Sequence, residues 1–400
     1  MSALAPLRVM LVAGEPSGDL LGAGLIEALR RLSSRPVDVI GVGGPQMQAG
    51  GLQSLFPMQE LSVMGIAEVI PRLPTLQKRI AETAGLAIGV RPDVLITIDS
   101  PDFSFRVARL VRKCAPAIPI VHYVAPQVWA WRQGRARKMS RYMDLLLALL
   151  PFEPPFFGQS GVACRFVGHP VVERGAGPRE GEKFRARHSI PAEAPLVAVL
   201  PGSRHSEISR LLTPFSGTLN LLAEDFPELH VFCATVPHTV GPVLSAAKTW
   251  PGRVVISQDA REKFAGFAAS NAALAASGTV SLELAACGTP HVLAYKVSPF
   301  SAMIARRMLK ISHVGLVNLI LGETLIPEML QENCQPENLA REMRALLLPG
   351  SALAQRQKAA MQRSLSLLGK GQESPSLRAA RAVAELLAVR GVDYMESILF

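Results

Sequence analysis

The sequence has little of what marks several large classes of protein. Its five cysteines lie far apart and form no Cys-x-x-Cys pair, which excludes a closely spaced metal cluster or disulfide framework and indicates reduced thiols in a cytosolic protein. Aromatic residues make up only 6% of the 400 residues and are not interleaved with a basic stripe, so nucleic acid is not expected as a partner. No apolar run approaches the roughly 18 residues of a membrane-spanning helix, and the N-terminal apolar run is short for a signal peptide.

The common nucleotide and metal fingerprints are absent as well. In the stretch Val12–Gly24 the glycines stand at positions 14, 18, 22 and 24, which is not the G-x-G-x-x-G spacing of a dinucleotide loop. Gly41–Gln46 fails at the third glycine, and no G-K-[ST] phosphate loop occurs. No two of the nine aspartates are two residues apart, and the histidines lack the spacing of metal ligands, so we expect neither a metal nor another cofactor.

What the sequence does have is positive charge and a regular alternation of apolar runs. The net charge of +10 favours an anionic partner, such as a phosphorylated small molecule or an acidic membrane surface. Short apolar runs, such as Leu7–Ala13, Val94–Ile98 and Leu196–Leu200, alternate with segments of helical period. This pattern predicts α/β domains with parallel sheets that are covered on both faces.

We divide the chain into two doubly wound domains, because the alternation restarts after a segment rich in glycine, proline and charge. The predicted divisions are a first domain at residues 1–172, a linker at 173–185, a second domain at 186–345, and C-terminal helices at 346–400 that pack back on the first domain. Ligands of such sheets bind beyond the carboxyl ends of the strands, so two facing sheets would share one cleft.

Two loops of the first domain carry polar side chains directly after an apolar strand. The first strand leads into a glycine-rich loop with Glu15 and Ser17, for which the alternative is a plain strand-to-helix turn capped by Ser17 or Asp19. Asp99 follows another strand, in the position of a general base, with a turn-stabilising aspartate as the alternative. We expect Asp102 to cap the next helix.

The segment after the next strand combines tryptophan with basic residues. Trp129 and Trp131 are predicted to line a sugar or acyl pocket, and Arg132 with its basic neighbours favours an anion. His122 lies within the strand and is predicted to be a core histidine.

Two loops of the second domain suit a nucleoside diphosphate. The turn Gly202–Arg204 places a guanidinium at a helix N-terminus, where phosphate binds. The segment Ser277–Thr279 opens a later helix, and Glu283 follows one turn on, where it would accept ribose hydroxyls. The alternative for Glu283 is an exposed residue of an amphipathic helix.

Nine motifs, in order along the chain, resemble those of the lipid-A-disaccharide synthases: VAGEPSGDLLGAGLI, ELSVMGI, IDSPDF, HYVAPQVWAWRQGR, LLPFE, FVGHP, LPGSR, SGTVSLELA and GLVNLILGETLIPE. The resemblance runs from about residue 8 to about residue 345, and the Trp-Ala-Trp-Arg block is its most specific part. It implies two Rossmann-like domains that face each other across a cleft, the GT-B-type glycosyltransferase architecture. Pro16 stands where the family pattern leads us to expect a small residue such as alanine.

The resemblance implies an inverting hexosyltransferase of lipid A biosynthesis. Such an enzyme joins UDP-2,3-diacylglucosamine to 2,3-diacylglucosamine 1-phosphate (lipid X), and yields a β-1,6-linked disaccharide and UDP. By the same resemblance Asp99 is the candidate base, and Arg204, Glu283 and Asn318 serve the UDP-sugar. The predicted site residues are, for catalysis, Asp99, Glu15 and Ser17 and, for substrate binding, Gly14, Gly18, Trp129, Trp131, Arg132, Ser203, Arg204, Ser277, Gly278, Thr279, Glu283 and Asn318.

Two other functions fit the same sequence: another two-domain UDP-sugar enzyme, such as an epimerase, or a basic peripheral membrane-binding module. The transferase interpretation places the chain in the cytoplasm, peripherally associated with the anionic surface of the inner membrane. The sequence leaves the oligomeric state open, and a homodimer is one of its options.

Residues 61–80, LSVMGIAEVIPRLPTLQKRI, are the candidate membrane segment. They mix apolar side chains with Arg72, Lys78 and Arg79, as an interfacial segment does, although helices that pack on their own sheet are the alternative. We expect Pro71 and Pro74 to break this segment into two helical pieces.

Overall fold

The computed structural model describes residues 5–61, 66–128, 134–298, 302–303 and 312–392, and for residues 66–72 and 135 it describes the backbone alone. The chain forms two compact units, Met1–Pro170 with Gln372–Phe400, and Val171–Gly371. Each unit contains one parallel sheet whose strands alternate with helices, which confirms the predicted α/β class with two sheets. Within the described ranges, no helix is both long enough and apolar enough to cross a membrane.

The sheet of the first unit is parallel throughout. Its strands are β1 (Leu7–Ala13), β2 (Val37–Val42), β3 (Gln53–Ser54), β4 (Val94–Ile98), β5 (Ile120–Tyr123), β6 (Leu145–Ala148) and β7 (Cys164–Phe166). They lie in the order β3-β2-β1-β4-β5-β6-β7. Strands β4, β5 and β6 are buried along their whole length because helices cover both faces of the sheet. The order reverses between β1 and β4, and ligands of doubly wound sheets bind at such a point.

The sheet of the second unit repeats this plan. Its strands are β8 (Leu196–Leu200), β9 (His230–Ala234), β10 (Val254–Ser257), β11 (Ala272–Ala276), β12 (His291–Tyr295) and β13 (Glu328–Leu330). They lie in the order β10-β9-β8-β11-β12-β13, so the order reverses between β8 and β11. Both of these central strands are completely buried.

Helices connect the strands of both sheets. In the first unit they are α1 (Pro16–Leu32), α2 (Pro45–Ala49), α3 (Ile66–Val90), α4 (Pro101–Cys114), α5 (Gly134–Met139) and α6 (Glu153–Gly158). In the second unit they are α7 (Pro178–Arg187), α8 (His205–Asp225), α9 (Val240–Ala247), α10 (Ala260–Ala269), α11 (Val280–Cys287), α12 (Leu316–Leu321), α13 (Pro336–Leu347) and α14 (Ala352–Leu367). Helix α15 (Pro375–Val389) belongs to the first unit.

The predicted linker at residues 173–185 is wrong for its greater part, because α7 begins within it. Proline occupies the start of the helix, and Glu180 accepts the Gly177 N–H at 2.9 Å, so the residues that suggested a linker form a helix N-terminus. Phe184 is 1% exposed and meets Phe232 edge to face, with ring centroids 5.0 Å apart. Helix α7 is therefore part of the second unit and its core.

The structure divides the predicted C-terminal region, residues 346–400, between the two units. Buried Gln357 of α14 accepts the backbone N–H of His291 at 2.8 Å, which fixes this helix to the second sheet. In α15, by contrast, Val383 shares an apolar core with Leu25 of α1. The predicted boundary at residue 345 therefore moves to Gly371, since only the last helix belongs to the first unit.

The predicted break at Pro71 and Pro74 is also wrong, because α3 is one helix from Ile66 to Val90. Each proline removes one N–H from the helical ladder, but both lie near the start of a long helix. Its later turns pack on the first unit through Ile80, Ala84 and Ala87, which are buried and lie three or four residues apart on one face. The long packed part of α3 outweighs the loss of two hydrogen bonds.

Candidate active site

The loop between β1 and α1 lies against the carboxyl end of β4. A side chain at Gly14 would meet Ser100 Oγ at 2.6 Å, and one at Gly18 would meet the Ile98 carbonyl oxygen at 3.3 Å. Gly14 lies in the loop and Gly18 in the first turn of α1, and the lack of a side chain at both allows close packing against the end of β4. The structure brings this loop next to the turn that carries Asp99.

The polar residues of this loop take different roles from those of a simple helix cap. Glu15 is the N-cap residue of α1, and its side chain makes no capping hydrogen bond. The alternative interpretation, in which Ser17 or Asp19 caps this helix, is therefore wrong. Asp19 is buried, and its carboxylate accepts three backbone N–H groups at the start of α2 at 2.9 to 3.0 Å. Asp19 is thus structural, whereas Ser17 is exposed and Glu15 half-buried at the edge of the sheet.

Asp99 occupies a sharp turn at the end of β4. Asp99 and Ser100 have φ angles of 52° and 45°, in the left-handed region that residues other than glycine rarely adopt. The turn is held by the Asp99 N–H, which donates to the Tyr123 carbonyl at 2.9 Å, and by the Ser104 hydroxyl, which donates to the Asp99 carbonyl at 2.7 Å. Backbone strain of this kind is typical of functional sites, where the surroundings hold it in place.

The environment of Asp99 changes its acidity. Burial raises the pKa of Asp99 above its ordinary value, and the hydrogen bond from the Ser100 N–H to Asp99 Oδ1, at 2.9 Å, opposes this rise. A carboxylate with a raised pKa at the edge of a parallel sheet suits a general base. Asp102 is exposed in the first turn of α4, whose N-cap is Ser100, so the expected cap by Asp102 is wrong.

His122 is a core residue, as predicted. It is fully buried in β5, with Nδ1 2.8 Å from Thr97 Oγ1 and its ring edge to face with Phe105. Burial lowers the pKa of His122 to about 3, so the ring is neutral at physiological pH.

The chain after β5 turns through Val124, which has a φ of 80°. A β-branched residue in the left-handed region is a genuine outlier and costs of order 1–3 kcal/mol. This turn leads into the tryptophan-rich motif. Three predicted site residues of that motif lie outside the described residues: Trp129, Trp131 and Arg132.

The loop after β8 places Arg204 at the N-terminus of α8. Gly202 has a φ of 110°, and its missing side chain leaves room for the carboxylate of Glu207. This carboxylate accepts the Ser203 and Arg204 N–H groups at 3.1 and 3.3 Å and pairs with Arg204 Nη1 at 2.8 Å. Donors that suit a phosphate therefore hold an anion of the protein itself.

The loop after β11 contains a second helix N-terminus. Ser277 and Gly278 precede Thr279, the N-cap of α11, and Gly278 has a φ of 155° with open space where a side chain would lie. Glu283 follows one turn later and pairs with Lys263 Nζ at 2.7 Å. The carboxylate that was predicted to accept ribose hydroxyls is therefore paired within the protein, and the role of this loop toward a nucleotide stays a prediction.

The side chain of Asn318 is not exposed on a surface where it could bind a ligand. Its side chain is fully buried in α12, and its amide makes four hydrogen bonds to the segment that follows, Leu325 to Glu328. Asn318 has no hydrogen-bonding position left for a nucleotide. Its predicted direct role toward the UDP-sugar is therefore replaced by a structural one.

The sequence analysis did not identify two residues of the site, Glu207 and Glu328. Glu207 has a visible signal, because a glutamate three residues after a helix N-cap is typical of a capping box. Glu328, which binds Asn318, has no such signal. Across the ranges that the structure describes, no three His, Cys, Asp or Glu side chains are grouped as they would be around a metal ion.

Solved structures identify the class of fold. A putative UDP-N-acetylglucosamine 2-epimerase from Listeria monocytogenes has a TM-score of 0.65 at 12% identity, covering 98% of this chain and 100% of that chain. CalG4, the calicheamicin glycosyltransferase, has a TM-score of 0.57 at 18% identity, covering 97% and 100%. At such identities the likeness shows the fold alone, which is the two-domain α/β fold of UDP-sugar epimerases and GT-B-type glycosyltransferases.

Sequence relatives identify the family. A family model described as lipid-A-disaccharide synthetase matches residues 9–383. The lipid-A-disaccharide synthase of Rhodospirillum centenum is 48% identical over 385 residues, which cover 96% of this chain and 96% of that protein. The chain therefore belongs to the lipid-A-disaccharide synthase family and is a glycosyltransferase of lipid A biosynthesis. The function of the family implies a UDP-sugar donor and a lipid acceptor.

The raised pKa of Asp99 predicts how the substitution Asp99→Asn changes the free energy of unfolding at different pH values. Its pKa is higher in the folded than in the unfolded chain, so the ionised carboxylate destabilises the fold at neutral pH. This cost is complete above the folded-state pKa and disappears as the pH falls below the unfolded-state value. Asp99→Asn should therefore be at least as stable as the wild type at neutral pH, with the difference closing in acid.

Urea unfolding of both proteins across this pH range measures the effect. Asp102→Asn is the matched control, because it removes an exposed carboxylate close by. An Asp99→Asn protein that is less stable than the wild type by more than about 1 kcal/mol at neutral pH would contradict the assignment.

Proposed function

We propose that the chain transfers 2,3-diacylglucosamine from UDP-2,3-diacylglucosamine to 2,3-diacylglucosamine 1-phosphate (lipid X). The products are the β-1,6-linked lipid A disaccharide 1-phosphate and UDP, and the anomeric configuration is inverted. Membership of the lipid-A-disaccharide synthase family supports the donor and acceptor classes. The observation that carries the residue assignment is Asp99, a carboxylate of raised pKa held at the edge of a parallel sheet.

In the proposed mechanism Asp99 is the general base. It takes the proton of the acceptor's 6-hydroxyl while that oxygen attacks the anomeric carbon of the donor, and the bond from this carbon to the diphosphate breaks. One in-line displacement inverts the sugar carbon, as in inverting glycosidases, where a base activates water. UDP is a good leaving group and needs no acid. We place Glu15 and Ser17 beside the acceptor because the loop at Gly14 and the first turn of α1 pack against the end of β4 and the turn that follows it.

The second unit supplies the proposed donor site. Arg204 and the N-termini of α8 and α11 would neutralise charge that develops on the leaving diphosphate, and Glu283 would accept ribose hydroxyls. In the structure the α8 donors and Arg204 hold Glu207. In this proposal the bound diphosphate displaces the Glu207 carboxylate from these donors.

Asp99→Asn should lower turnover by roughly 10²–10⁴-fold, the usual contribution of general-base catalysis. The affinity for UDP should stay nearly unchanged, because the proposed donor site lies in the other unit. The acid limb of the kcat/KM profile should lie above the ordinary aspartate pKa, since only the ionised base accepts a proton and burial raises the pKa of Asp99.

Steady-state assays with donor and lipid X test this prediction, with Asp102→Asn as the matched carboxylate control that should keep its activity. An Asp99→Asn enzyme with most of its activity would remove Asp99 from the mechanism and leave Glu15 or Asp102 as the base.

Arg204→Ala should reduce kcat/KM about 10- to 100-fold, because hydrogen bonds to charged groups contribute roughly 1.5–3 kcal/mol. Excess chelator should leave activity largely intact, because Arg204 and helix N-termini supply the positive charge in this proposal. Arg210→Ala is the control on the same helix, where its side chain bonds a backbone carbonyl of the helix. Loss of activity with chelator and its return with Mg²⁺ would mean that the diphosphate site is misassigned.

We also propose that the enzyme works on the cytoplasmic face of the inner membrane, bound through the start of α3. Both substrates carry acyl chains, which must be drawn from a bilayer. Leu73 and Lys78 are exposed on this helix, as an interfacial segment requires. Arg79 is not available to lipid headgroups, because it pairs with Glu60 at 2.8 Å and with Glu82 at 2.6 Å.

The triple substitution of Val63, Ile66 and Val69 by serine should release the protein from anionic vesicles without unfolding it. The side chains of these three residues lie outside the described residues. Vesicle sedimentation measures binding, and circular dichroism measures folding. Apolar contact should persist in part at high salt, whereas attraction to headgroups is screened beyond about 10 Å at 0.1 M salt.

Unchanged binding of a folded triple variant would remove this surface from the proposal, and an unfolded variant would place the three residues in the core. A homodimer is a separate proposal, which sedimentation equilibrium of the wild-type protein would test.

A further inference from the structure

The segment from His313 to Leu330 contains a polar cluster, built around the buried side chain of Asn318 and the half-buried side chain of Glu328, that the proposed mechanism does not use. The side-chain amide of Asn318 donates to the Ile326 carbonyl and to Glu328 Oε1, both at 2.8 Å. Its oxygen accepts the Leu325 and Ile326 N–H groups, both at 2.9 Å. These four bonds fill the hydrogen-bonding capacity of the amide and close the loop after α12.

Glu328 is the second member of the cluster. Its carboxylate accepts the Val314 N–H at 2.9 Å and the Gly315 N–H at 3.0 Å, in addition to the Asn318 amide. Glu328 is itself fixed by the sheet, because it begins β13 and lies opposite Leu293 of β12. The cluster therefore ties the backbone at Val314 and Gly315 to the edge of the second sheet.

One hydrogen bond joins this cluster to the proposed donor site. The hydroxyl of Ser277 donates to the Val314 carbonyl at 3.2 Å, and the Ser277 N–H donates to the Ala294 carbonyl at 3.0 Å. Ser277 opens the loop that leads into α11, where Glu283 lies. The position of this loop thus depends on Val314, and the position of Val314 depends on Glu328.

The geometry points to Glu328 as a positioning residue for the nucleotide, which acts through Val314 and Ser277 and is itself no ligand. This inference rests on the proposed function, because it takes the Ser277–Glu283 region as the place of the UDP group. Asn318 contributes to the same positioning, because its amide holds the Glu328 carboxylate in the orientation that accepts the Val314 and Gly315 N–H groups.

Glutamine at position 328 is the informative substitution. It keeps the size of the side chain but replaces one acceptor oxygen by an NH₂ group, which must face one of the two backbone N–H donors or the Asn318 amide. Glu328→Gln should weaken UDP binding about tenfold, which is 1.4 kcal/mol at 25 °C. The KM for the donor should rise in proportion, and kcat should change little.

The comparison of KM with kcat separates positioning from a merely structural role. A role in folding alone would reduce the active fraction, and therefore the apparent kcat, and would leave the UDP dissociation constant of the folded protein unchanged. Glu323→Gln is the matched control, because this exposed carboxylate lies in the same segment but pairs with Arg363 of α14. It should bind UDP as the wild type does.

Isothermal titration with UDP is the deciding measurement. The double variant Glu328→Gln with Asn318→Asp should bind no more weakly than the weaker single variant, because both changes break one network. A folded Glu328→Gln protein with wild-type affinity for UDP overturns the inference and leaves the proposed function intact. A wild-type protein that does not bind UDP counts instead against the proposed function.

Where neither variant folds, amide hydrogen exchange of the wild-type protein decides the question. Binding of UDP to the loop at Ser277 should then slow the exchange of the Val314 and Gly315 amides, because both are coupled to that loop. Exchange of these two amides that UDP leaves unchanged would overturn the inference.

Discussion

The candidate site depends on one constraint, the parallel pairing of the two central strands in each sheet. At this pair the strand order reverses, so the chain leaves the two strands in opposite directions along the sheet. In the first sheet Ala13 of β1 lies opposite Ile98 of β4, so the glycine-rich loop and the Asp99 turn begin side by side. In the second sheet Leu200 of β8 lies opposite Ala275 of β11, which gives the arginine loop and the α11 loop the same relation. Parallel register in both sheets thus gathers polar loops that are far apart along the chain.

Much of this framework could be predicted from the sequence, because buried parallel strands are apolar along their length. The runs Leu7–Ala13, Val94–Ile98 and Leu196–Leu200 were predicted with the bounds that the structure gives them. The short edge strands Gln53–Ser54 and Glu328–Leu330 were not, because they have too few apolar residues for a pattern and owe their conformation to the strand beside them.

The candidate site was harder to predict than the fold, because a carboxylate or amide takes its role from the donors around it. Asp99 could be found from its place after an apolar strand. Asp19, in the first turn of α1, gave no sign that it binds the backbone of α2. Asn318 was expected to contact the substrate, and its bonds to Leu325–Glu328 became visible only in the folded chain.

Glu207 gives the proposed donor site a property that its ligand-binding residues alone would not confer. Its carboxylate holds the Ser203 and Arg204 N–H groups and the Arg204 guanidinium. A diphosphate that takes these donors must displace a competitor tethered to the same helix, whose effective concentration is on the order of millimolar or higher. In the proposed donor site this competition would lower the affinity for the nucleotide. Between turnovers the same carboxylate keeps the charge of Arg204 balanced.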